Sequence, residues 1–151
     1  MIRTVALLLA LASPATAQVV SQCDWQASAQ AIAEPWEENA RTFSNGKVRV
    51  AVLDTIEPAV GFAWLLVLSP PFNELGDRQC RLVGASADIG FAGLFFDTLQ
   101  SSYNPLTGLT FTLDARFYDA KIDGFSRKPV VITLNQSTGA MTATYAEDGT
   151  Q

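Results

Sequence analysis

The side chains that normally carry catalysis are thinly represented here, beginning with histidine, of which the chain has none. Without an imidazole there is no Ser-His-Asp or Cys-His relay, and the usual zinc and copper ligand sets are missing too. What remains are carboxylates, one serine and lysine at a suggestive spacing, and two cysteines. Ser44-Asn45-Gly46-Lys47 has the Ser-x-x-Lys spacing in which a lysine activates a serine one helical turn away. Asn45-Gly46 favours a tight turn instead of a helix at that place. Glu37 and Glu38 are adjacent, so on a helix or strand they point apart, whereas carboxylate pairs for acid-base work need a set separation across a cleft. Asp114, Asp119 and Asp123 come nearest to a hard-cation cluster, but their spacing does not match a calcium loop. Charged groups at strand ends and in loops are ordinarily solvated. No catalytic residue, metal ligand or cofactor is assigned from the sequence.

The cysteines point to a compartment. Residues 1–17 carry a basic Arg3, an apolar run from Val5 to Ala12, a breaker at Pro14 and the small-residue pattern Ala15-Thr16-Ala17. These are the parts of a secretory signal peptide, with the mature chain expected to begin at Gln18. No cysteine follows the cleavage site directly, so lipid attachment is not expected. In an exported chain two cysteines ordinarily pair. A Cys23 to Cys80 bridge would close a loop of roughly 58 residues, which the chain-entropy account values at about 4 kcal/mol. The alternative is a reactive thiol at Cys80, its pKa lowered by Arg78 and Arg81. The expected location is periplasmic in a Gram-negative host and secreted otherwise.

Charge narrows the partners. The chain carries 10 basic and 15 acidic residues, a net charge of −5, and loses Arg3 with the leader. Neither nucleic acid nor an anionic membrane surface suits that balance. Beyond the leader no apolar run approaches the length of a transmembrane helix. Residues 18–151 are read as a single small, acidic, soluble β-rich domain, with a frayed tail over 146–151.

The elements that would position any site follow from periodicity. Gly61 to Ser69 is apolar on both alternating faces, Phe62, Trp64, Leu66 and Leu68 on one and Ala63, Leu65 and Val67 on the other. This predicts a central strand covered on both sides and stopped by Pro70-Pro71. Leu109 to Phe117 alternates strictly and predicts a strand with one wet face. Asp24 and the alanine-rich stretch after it predict a short helix over 25–33, with Trp25, Ala29 and Ile32 as its apolar stripe. Residues 36–44 fit a helix or the first strand of a hairpin; the hairpin pairs Phe43 with Val48 and Arg41 with Val50. Lys47 to Asp54 and Gln79 to Val83 read as strands, and Val130–Leu134 with Ala140–Tyr145 as a last hairpin. Asp97 would cap a helical turn over 98–102, and Asp119 to Lys128 reads as a polar loop. The fold class is mainly β (α+β): a short N-terminal helix, then a six- to eight-stranded antiparallel sheet folded as a sandwich or partial barrel.

Three functional readings follow. The first is an exported, non-catalytic binding domain for a small apolar ligand, with Phe91, Leu94, Phe95 and Phe96 as the ligand-binding candidates because large side chains there sit beside Gly90, Ala92 and Gly93. The same stretch would serve equally as a buried strand. The second is an accessory envelope protein that meets a protein partner by edge-strand addition, for instance at the Asn45-Gly46 hairpin. The third is a histidine-free enzyme working through a carboxylate, serine or tyrosine.

Overall fold

The computed structural model describes residues 19–146. The leader expected over 1–17, the expected start at Gln18 and the tail beyond Ala146 lie outside the described residues. Among the described residues the strands are β1 (Val19–Gln22), β2 (Ala40–Phe43), β3 (Val48–Asp54), β4 (Ala63–Phe72), β5 (Arg78–Gly84), β6 (Gly93–Asn104), β7 (Gly108–Asp119), β8 (Gly124–Leu134) and β9 (Met141–Tyr145). They form two antiparallel sheets, five strands in the order β1-β5-β4-β3-β2 and four in the order β6-β7-β8-β9. That is one strand more than expected. β1 has little pattern of its own and exists by pairing with β5, Val20 opposite Val83 and Gln22 opposite Arg81.

The inward residues of both sheets share one core. Val48, Val50 and Val52 of β3, Ala63, Leu65 and Val67 of β4, Phe111 and Leu113 of β7 and Ile132 and Leu134 of β8 belong to it. Each set is spaced by two, as strands with one face toward a core require. β4 is covered on its other face as well, where Trp64 packs with Leu53, Leu82 and Ala31 in a second cluster that Cys23, Ala27 and Leu66 border. The cover is the segment between Cys23 and Ala33. It is fastened by the Cys23–Cys80 disulfide, with Cα atoms 5.4 Å apart, and by a bridge between Ile32 and Leu53.

That fastening explains the first correction. In place of a helix over 25–33 there are two 3-10 turns, Trp25–Ala27 and Ala29–Ala31, separated by Ser28 in extended conformation. Asp24 does cap the first turn by accepting from the N–H of Trp25. A segment pinned at both ends must turn its small residues inward, so Ala27 and Ala31 meet the sheet while Trp25 and Ile32 stay exposed.

Three further expectations change. Pro70-Pro71 does not stop β4, which reaches Phe72; the register slips between Ser69, opposite Gln79, and Phe72, opposite Arg78. The two prolines occupy the slip, where no N–H is needed. Residues 98–102 are strand, not helix: Gln100, Ser101 and Ser102 pair with Thr112, Phe111 and Thr110 of β7, and the Thr98 hydroxyl donates to the Phe95 carbonyl and accepts from the N–H of Asp114. That side chain satisfies the backbone where β6 bulges away from β7. The polar stretch 119–128 is mostly β8, paired with β7 from Asp119 opposite Gly124 onward. Its outward residues are held by side-chain contacts: Arg116 lies over the Phe125 ring at 5.3 Å, and Arg127 forms a 2.8 Å ion pair with Asp114.

Gly90 shows how closely the linking segment 85–92 is packed. A Cβ there would lie 2.5 Å from the Ala63 carbonyl oxygen, 2.7 Å from that of Gly61 and 2.8 Å from Trp64 Nε1. Backbone atoms cannot rotate away, so Gly90→Ala is expected to lower stability by about 1–3 kcal/mol. Urea unfolding checks this as a fallen midpoint with an unchanged slope.

Candidate functional site

The four residues singled out at 91–96 do not assemble one surface. Phe91 is 1% exposed and Phe96 3%, both in the shared core, and Leu94 packs half-buried against that core. Phe95 lies on the opposite face, with the Arg127 guanidinium 3.7 Å from its ring centre. The aromatic and glycine alternation in this stretch is that of a strand entering a core, with Gly90 allowing the Trp64 indole to pass.

The polar candidates are dispersed as well. Asp114 pairs with Arg127, Asp119 accepts from Lys121 N–H and the Ser126 hydroxyl, and Asp123 accepts from the Tyr118 hydroxyl. Among the described residues no group of three His, Cys, Asp or Glu could hold a metal ion. Ser44 and Lys47 sit in the β2–β3 turn, where Lys47 N–H donates to the Ser44 carbonyl. Ser44, Asn45 and Gly46 all have positive φ there, 52°, 54° and 81°. A helical Ser-x-x-Lys arrangement is thereby absent. Cys80 is in the disulfide, not a free thiol.

Two apolar concavities stand out instead. The first is lined by β7, β9 and the segments that link β3 to β4 and β5 to β6. Phe117 and Tyr145 form its floor, their rings 4.8 Å apart, and Val60, Ala85, Ile89 and Gly90 form its rim around about 460 Å³. Tyr118 also borders it; the hydrogen bond to Asp123, and then burial, raise its pKa above the ordinary tyrosine value.

The second is a groove of about 420 Å³ on the outer face of the five-stranded sheet. Its floor comes from three strands: Ala40 and Thr42 of β2, Arg49 and Ala51 of β3, and Leu66 and Leu68 of β4, with Arg41 and Val50 also reaching its lining. Ile32 and Trp36 wall it, 41% and 58% exposed. The loop bearing Trp36 is folded on itself, with the N–H groups of Glu38 and Asn39 donating to the Pro35 carbonyl.

β2 ends this sheet. Its ladder to β3 begins with Val52 N–H donating to the Asn39 carbonyl, and Arg41 then stands opposite Val50. In an antiparallel ladder the intervening residues face the other way, so Ala40 and Thr42 turn their N–H and C=O groups to the open side. Arg41, itself exposed, reaches across to the other sheet, its guanidinium 5.6 Å from the Phe96 ring centre and donating to the Leu99 carbonyl. The groove therefore borders an unpaired strand edge that is fixed in place from behind.

No protein-family model, curated protein or solved structure matches this chain. The residues of the groove went unremarked in the sequence because they come from four separate segments, and Leu66 and Leu68 read simply as part of a buried strand. The one signal available was a hairpin with its first strand beside a tryptophan loop.

Proposed function

We propose that this protein is an exported, non-catalytic interaction domain that accepts an extended polypeptide segment along the edge of β2. The observation that carries the reading is the pairing of that open edge with the apolar groove beside it. Strand addition draws affinity from main-chain hydrogen bonds and selectivity from pockets that take every second side chain, and the open edge and the groove beside it would supply them. The disulfide suits an oxidising compartment, and among the described residues no helix is long and apolar enough to cross a membrane.

A photo-crosslinking amino acid at position 42, in the protein expressed in its own host, tests the reading. A polypeptide adduct is expected at position 42 in at least tenfold excess over the same probe at Asn73, an exposed loop residue. Equal yields at the two positions would overturn it. A second reading, a small apolar ligand, is supported by the cleft over Phe117 and Tyr145. That arrangement suits a flat apolar molecule and uses none of the groove.

A further inference from the structure

We infer that the segment added at β2 is the β2 of a second copy of this chain, joined about a two-fold axis into one continuous sheet. The inference rests on the strand-acceptor reading and names its partner. Along the β2 edge the charges are divided by sign. Glu34, Glu37 and Glu38 lie at the end where the chain enters β2, all exposed. Lys47 and Arg49 lie at the other end, also exposed, with Arg49 opposite Thr42. Arg78 is drawn to the same end, donating to the carbonyls of Gly46 and Lys47. None of these charged side chains is ion-paired among the described residues, so both ends of β2 hold charges without an opposite charge in contact.

An edge that is acidic at one end and basic at the other complements itself only when the two strands run antiparallel. A two-fold axis at the middle of β2 provides that arrangement, since an isologous interface sets each end against the opposite end of its copy. Ala40 of each chain then meets Thr42 of the other, and the four outward N–H and C=O pairs are used. Arg41 meets Arg41 of its copy at the axis; it is exposed, but its guanidinium is held within its own chain by the Leu99 carbonyl and the Phe96 ring. On the outer face Trp36 and Ile32 of each chain stand beside the seam, and their exposed apolar surface is the part that joining would shelter. A parallel arrangement would place acid against acid and base against base.

With so short a strand the dimer is expected to be weak and salt-sensitive, because exposed charge pairs are screened. Sedimentation equilibrium of the disulfide-bonded protein at low ionic strength, over roughly 10 µM to 1 mM as suits small interfaces, should show a monomer–dimer equilibrium. Lys47→Glu should weaken it at least tenfold, and the exchange Glu38→Lys with Lys47→Glu should restore it; circular dichroism should show each variant folded. A monomer throughout the range, or a dimer indifferent to Lys47→Glu, would overturn the inference. Position-42 crosslinking separates the two proposals. A monomeric protein that still forms adducts with a different polypeptide at position 42 overturns the second-copy inference alone. A monomer without preferential adducts overturns the strand-acceptor reading with it.

Discussion

Trp64→Ala is expected to be among the most damaging single substitutions in the chain, costing about 3–5 kcal/mol as large aromatic truncations in packed interiors do. Trp64 is 1% exposed, yet it lies outside the core shared by the two sheets. Its indole fills the space between the outer face of β4 and the cover segment, against Leu53, Leu82 and Ala31. It also passes directly beneath Gly84 and Gly90, each of which would clash with it if given a Cβ. The surroundings cannot collapse into the vacancy, because the cover is fastened at Cys23 and Ile32 and the sheet below is continuous. The measurement is thermal unfolding, with Tm expected to fall by about 10–20 °C for a domain of this size. Trp64→Phe separates packing from polarity. The indole Nε1 has no hydrogen-bond partner, so a ring without that N–H leaves no polar group stranded and should cost well under half as much. Equal losses for the two variants would mean that the ring is not what holds the cover down.

How much of this architecture was legible beforehand depends on whether a residue's role was set by its neighbours in sequence. Leu109 to Phe117 alternates because one face of β7 meets the core and the other meets solvent, and Leu109, Phe111, Leu113 and Ala115 are indeed buried. The hairpin register was legible for the same reason: Asn45-Gly46 fixes the turn, and Phe43 opposite Val48 with Arg41 opposite Val50 follows. The double cover of β4 was likewise written in its two apolar faces. What could not be read are features set by distant contacts. The cover segment has the composition of a helix, but its ends are held to two different strands, and a helix would not span them with its small residues inward. Residues 97–102 are polar apart from Leu99, which is buried in the core; they form the edge strand of their sheet, and their pairing with Thr110 to Thr112 of β7, with the Thr98 hydroxyl bridging Phe95 and Asp114, is a distant contact that no local pattern announces. Arg127 and Phe125 looked like loop residues because their partners, Asp114, Phe95 and Arg116, lie on neighbouring strands. The groove at β2 belongs to the same class, since no spacing in the sequence unites Ile32, Trp36, Arg49 and Leu66.

Removing the disulfide with Cys23→Ser and Cys80→Ser is expected to cost about 4 kcal/mol by the chain-entropy estimate for its loop. The cysteines are 57 positions apart, and the loop they close contains β2, β3, β4 and the groove. The bond also has a local task that the estimate does not describe. Cys23 follows directly on β1 and begins the cover segment, and its N–H reaches the Cys80 carbonyl only at 3.4 Å. Without the covalent tie, β1 and the cover are held by their edge pairing with β5, the Ile32–Leu53 bridge and the packing of two alanines. Those are contacts of the kind that open below the global unfolding free energy. Hydrogen exchange should therefore show protection lost first in β1 and over residues 23–33, while β7 and β8, the longest paired strands, keep theirs. Fluorescence gives an independent view. Trp25 and Trp36 are already exposed, so in a Trp25→Phe, Trp36→Phe background the emission reports Trp64 alone, and it should shift to the red when the bond is cut. Uniform loss of protection with no such shift would mean that the disulfide acts through the unfolded chain only, and that the cover stays closed on its own contacts. A local opening would carry further, because Ile32 is both the last anchor of the cover and a wall of the groove. Cutting the bond would then loosen the β2 surface, and partner binding there would weaken under reducing conditions.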